Sequence, residues 1–135
     1  MGASFHLMET SSLLIYGKLL PPGINTLLRM HWAVRKKKQK EFQQHIVEQC
    51  PEYIQFAYTE PVKVVYTRKS IRMMDWDNAA GSFKLLGDIL VELGIIPDDN
   101  PKIIREFIPL QEKVSKRIEQ GFKIFICAAL AVPEV

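Results

Sequence analysis

The chain has 135 residues, 47% of them hydrophobic and 24% charged, with a formal net charge of +3. This profile excludes a disordered tail and supplies enough apolar surface for one packed core, so a single domain over residues 1–135 is expected. The small positive charge is compatible with a nucleic-acid partner without arguing for one, and it leaves the distribution of charge as the informative quantity.

Two cysteines, Cys50 and Cys127, stand far apart with no paired Cys or His spacing, which speaks against zinc and for buried thiols in a cytoplasmic protein. Met1 to Ser12 lacks the basic and apolar regions of a leader, and no later run of ~18 apolar residues marks a membrane span. A first strand is read over Ser12 to Leu20, ended by the breaker Pro21-Pro22-Gly23, after which Asn25 is ordinarily a turn residue. From Thr26 the pattern becomes helical, with Leu27, Leu28, Trp32, Phe42, Ile46 and Val47 on a drifting stripe, and Pro51 stops this helix near Cys50. The run Arg35-Lys36-Lys37-Lys38, with Arg29 and Lys40 nearby, fits a solvated helix surface or a stripe that binds phosphates. His31 and His45 lie on the same segment without ligand spacing to any carboxylate.

Pro61 opens a second strand, Val62 to Ile71, with Val62, Val64, Tyr66 and Arg68 on one face. Lys69 and Arg72 close it and fit either a strand end in water or a pair flanking a phosphate. If the strand continues to Asp77, then Asp75 and Asp77 project to one face, because strand side chains alternate. A helix capped by Asn78 or Ser82 follows to about Leu93, burying Phe83, Leu86, Leu90 and Leu93 and stopping at Gly94. On another face Lys84 and Asp88 are one turn apart. Pro97-Asp98-Asp99-Asn100 then offers a second acidic pair, which reads as turn chemistry or as the far half of a carboxylate site for a hard divalent ion. Ile103 to Leu110 and Phe122 to Ala129 are expected to form a hairpin around a long basic loop, Gln111 to Gln120, with a frayed tail from Ala131. The expected fold class is α+β: two layers, a mixed four-stranded sheet with two main helices packed on it, in the order β-α-β-α-β-β.

The succession Asp75-x-Asp77-Asn78, a helix with Lys84, Asp88 and Gly94, then Asp98-Asp99, resembles the signature of the RusA family of Holliday-junction resolvases. The resemblance implies a homodimeric, magnesium-dependent endodeoxyribonuclease, with manganese able to substitute, that resolves four-way DNA junctions by paired nicking. It assigns Asp75, Asp77 and Asp99 as metal ligands, Asp98 as an outer or alternate ligand, and Lys84 as the essential lysine. It also suggests that Asn25, after a Pro-rich turn, orients the site or the DNA backbone; the basic residues Arg29, Arg35, Lys36, Lys37, Lys38, Lys69 and Arg72 are, on their own charge and position, the candidate DNA contacts. One departure stands out: about three more residues separate Asn78 from Lys84 than the family pattern has, so counting forward from Asn78 reaches Gly81 instead. The extra Ala79-Ala80-Gly81 corresponds to about one helical turn. Two other functions fit the residues: a non-catalytic nucleic-acid-binding module in which the aspartates are caps, and a related nuclease acting on forks or flaps.

Overall fold

The computed structural model describes residues 12–51 and 57–129, so the expectations for the leader region before Ser12 and for the tail from Ala131 lie outside the described residues. Strand β1 (Ser12–Gly17) leads into helices α1 (Ile24–Arg29) and α2 (Trp32–Gln49), and β2 (Val62–Ser70) into α3 (Trp76–Gly81) and α4 (Phe83–Glu92). Strands β3 (Ile104–Lys113) and β4 (Gly121–Ala128) complete the chain. The four strands form one mixed sheet in the order β1-β4-β2-β3, with β2 and β3 parallel and β4 antiparallel to both its neighbours. The architecture is the expected α+β fold, with the helices on the sheet. No helix among the described residues is long and apolar enough to cross a membrane.

The expected hairpin of the last two strands does not form. β2 lies between β3 and β4, and the connection after Lys113 crosses the end of β2 through a short 3-10 turn, Arg117–Glu119. Pairing β4 with both β1 and β2 flanks the central strands β4 and β2 on both sides along nearly all of their length.

Alternation along the strands divides the sheet into two faces. On the covered face the rows Leu13–Ile126–Val64 and Ile15–Ile124–Tyr66 are buried under Leu27, Phe42, Ile46, Leu86, Ile89 and Leu90 from the helices. Tyr66, Phe83 and Phe107 form an aromatic cluster with ring centroids 4.9 to 6.5 Å apart. Arg68, also on this face and 5% exposed, donates from Nε to the Pro21 carbonyl at 2.8 Å, tying the Pro-rich turn to β2.

The single helix expected from Thr26 is two, broken at Met30 and His31, which are both extended (ψ 140° and 143°). The break turns Leu28, Trp32 and Val47 outward, so the expected stripe reduces to Leu27, Phe42 and Ile46. At the other end of the layer, Gly94 takes φ +77° and ends the α4 turn as expected.

Candidate active-site groove

Strand β2 ends at Ser70, before the aspartates. The next residues are held by side-chain amides. Gln120 Oε1 accepts the Ile71 backbone N–H at 3.1 Å, and Gln111 accepts from the Met74 N–H at 3.0 Å while donating to the Met74 carbonyl at 2.9 Å. Asp75 is the N-cap of α3 and Asp77 lies in its first turn. The expectation that the two share a strand face therefore fails: successive helical residues are ~100° apart, so positions two apart point to nearly opposite sides.

Asn78 Oδ1 accepts the backbone N–H of Asn25 at 3.0 Å, and a Cβ on Gly23 would fall 2.4 Å from that same oxygen. The turn after β1 is thus pressed onto the start of α3, with the Asn25 backbone making the contact. One turn on, a Cβ on Gly81 would lie 2.5 Å from Ile24 Cβ, so α1 and α3 pack too closely for a side chain there. The extra Ala79-Ala80-Gly81 forms helix, and Ser82 keeps helical dihedrals (φ −65°, ψ −15°) as the chain passes into α4. Ser82 is buried, its hydroxyl 2.6 Å from the Tyr66 phenol, whose pKa burial pushes up to about 12.

Lys84 projects from the first turn of α4. Its Nζ is 3.2 Å from Asp88 Oδ1 and 3.9 Å from Asp99 Oδ2. Asp99 also lies beside Gly87, where an added Cβ would be 3.3 Å from Oδ2. The Asp98 carboxylate holds the turn that presents Asp99, accepting the Asp99 N–H at 2.7 Å and the Asn100 Nδ2 at 3.0 Å. Asn100 Oδ1 accepts from Lys102 and Ile103. Lys84 and Asp99 line a groove of about 420 Å³ with Arg35 of α2, Ile24 and Leu28 of α1, and Phe107 of β3.

Asp75 and Asp77 do not join this group. Asp77 lies in the first turn of α3 and Lys84 in the first turn of α4, seven residues on, which corresponds to about two helical turns or ~10 Å of rise. Among the described residues no three His, Cys, Asp or Glu side chains lie together so as to hold a metal ion. The expected ligand set of Asp75, Asp77 and Asp99, with Asp98, is therefore not gathered, and a divalent ion with ligands at ~2.1 Å does not fit it as it stands.

The expected phosphate contacts are also dispersed. Arg35 faces the groove, and Asn25 and Arg29 are exposed on α1. Lys36 lines a second groove on α2, Lys37 a third with Glu41 and Glu48, and Lys38 pairs with Glu41 at 3.4 Å. Lys69 and Arg72 lie at the far end of β2. The sequence reading missed Gln111 and Gln120, which position the segment before Asp75. They fell in what looked like a loop, and only the placement of β3 and β4 on either side of β2 reveals them. Comparison with models of protein families and with curated proteins finds no match to this chain.

Proposed function

We propose that this protein is a RusA-like endodeoxyribonuclease that cuts branched DNA, four-way junctions above all, at the groove between α1, α2 and α4. The observation that carries this reading is the meeting of Lys84, Asp99 and Arg35 in one groove. These are a lysine and an aspartate at the positions the resemblance singles out, joined by an arginine suited to a phosphate. The steric closure of position 81 favours Lys84 as the lysine of the pattern.

In this reading Arg35 and Lys84 bind the phosphodiester. Half-exposed Lys84 exchanges its two carboxylate partners, each about a third exposed, for phosphate oxygens, a small cost because such ion pairs contribute only about 0.2–1 kcal/mol. The ammonium then faces charge that builds on the phosphoryl or leaving oxygen during hydrolysis. Cleavage is proposed to depend on added magnesium or manganese, which would have to draw Asp75 and Asp77 together with the Asp98-Asp99 turn. The reading places the protein in the cytoplasm, in keeping with Cys50 and Cys127 as thiols.

A homodimer is part of the proposal, since a two-fold enzyme presents two equivalent sites to a two-fold junction. The sheet face that no described helix covers suits it: Leu14, Phe125, Val65 and Ile108 form one cross-strand row there, with Leu14 48% and Phe125 39% exposed. A second reading, a nucleic-acid-binding module without catalysis, is favoured by the dispersal of the carboxylates.

Synthetic junction, fork and linear duplex, each incubated with the protein with and without magnesium, separate these readings. Paired metal-dependent nicks in the junction are expected, with slower cutting of fork and duplex. Preferred cutting of the fork assigns the related fork or flap activity, and a gel shift without nicks in any condition leaves the binding module.

A further inference from the structure

Trp32, the first residue of α2, is 72% exposed and contributes nothing to the core. Its position is nonetheless fixed. The extended residues Met30 and His31 set the direction in which α2 departs. His31 Nδ1 accepts the Ala33 N–H at 3.1 Å, which holds the imidazole 5.6 Å from the Trp32 ring at an interplanar angle of 32°. An exposed indole alone needs no explanation, but here it stands beside a second ring and on a groove.

Its surroundings indicate what it contacts. Trp32 lines a groove of about 840 Å³ with Arg35, Lys36, Gln39, Lys40 and Gln43, and with one carboxylate, Glu92 of α4, which accepts from Gln39 Nε2 at 3.5 Å, so three cations face a single anion. Cations placed one helical turn from an aromatic ring suit a strand whose phosphates follow the helix while a base lies on the ring. The Gln43 amide, with a donor and an acceptor, complements the polar groups of a base edge. Arg35 lines this groove and also the one holding Lys84 and Asp99, so the two meet at one guanidinium. A duplex, whose bases are already stacked on each other, has no face to offer the indole.

We infer that Trp32 is a stacking platform for an unpaired nucleotide of a single DNA strand whose backbone follows Arg35, Lys36 and Lys40 toward the Lys84 groove. The inference rests on the proposed action on branched DNA and adds to it the strand character of what is bound.

Binding of a fluorescein-labelled 12-nucleotide oligothymidylate, followed by anisotropy and by tryptophan emission in a Trp76→Phe background, tests it. Trp32 emission is expected to quench on binding. Trp32→Ala should weaken binding roughly tenfold, as for one lost base stack, without changing the salt dependence, whereas Lys36→Ala should reduce the salt slope by about one. Equal affinity of Trp32→Ala and the parent, unquenched emission, no binding by the parent, or equally effective competition by polyglutamate would overturn it. Junction cleavage measured alongside keeps the two ideas apart. Cleavage with an indifferent Trp32 sinks only the platform, and a functioning platform with no cleavage in any metal sinks only the nuclease.

Discussion

At the residue scale, position 81 bears on the proposed register of the lysine. Counting along the sequence leaves two registers, because three extra residues can be looped out or wound into a turn, and nothing in Ala79-Ala80-Gly81 distinguishes them. The approach of Ile24 does: it admits no Cβ at Gly81, while Lys84 reaches two carboxylates. Gly81→Ala should therefore destabilise the fold by about 1–3 kcal/mol through forced separation of α1 and α3. An unchanged urea midpoint would show that the helices part freely. His45 carries a second prediction. Its Nε2 accepts the Lys18 N–H at 2.8 Å, which requires the neutral ring, and burial lowers its pKa below 6.5 against the opposing pull of Glu48 and Glu41. Since the unfolded chain then binds the proton more tightly, the stability contributed by neutral His45 is present above about pH 6.5 and is lost as pH falls through the lower folded value. His45→Gln, which keeps an acceptor, should flatten that acid limb in thermal melts at a series of pH values.

At the scale of elements, strands and helices with strong periodicity were legible, and their neighbours were not. Val62, Val64 and Tyr66 announce the buried face of β2 by alternation alone. The insertion of β4 between β1 and β2 is set by long-range pairing that no local pattern encodes, and the helix break at Met30-His31 has neither Gly nor Pro to mark it. The strand expected to reach Asp77 stops at Ser70, the backbone of Ile71 and Met74 pairs with the side-chain amides of Gln120 and Gln111 instead of a neighbouring strand, and helix begins at Trp76. That change of element separates the carboxylates that alternation would have paired. Gln111 compensates by clamping Met74 at both its backbone groups. Gln111→Ala should leave the fold intact and speed hydrogen exchange at the Met74 amide. A Met74 amide as protected as in the parent would show that the clamp does not hold this segment.

For the whole molecule, the helices cover one face of the sheet, and apolar side chains remain on the other. The row Leu14–Phe125–Val65–Ile108 is expected to be the dimer surface, so Phe125→Lys should yield a folded monomer by light scattering and abolish paired nicking while leaving single nicks. A dimer that survives the change would move the interface elsewhere. The proposed catalytic groove is confined to the helical side, where α1 and α2 meet α4 and the Asp99 turn. Its direct test is single-turnover cleavage of a four-way junction in magnesium by the parent, Lys84→Ala and Asp99→Asn, with junction affinity measured in parallel. The expected result is cleavage by the parent, and in both variants junction binding with cleavage slowed by about 100-fold or more. Cleavage by both variants at the parent rate, or a parent protein that binds the junction and never cuts it, would contradict the assignment.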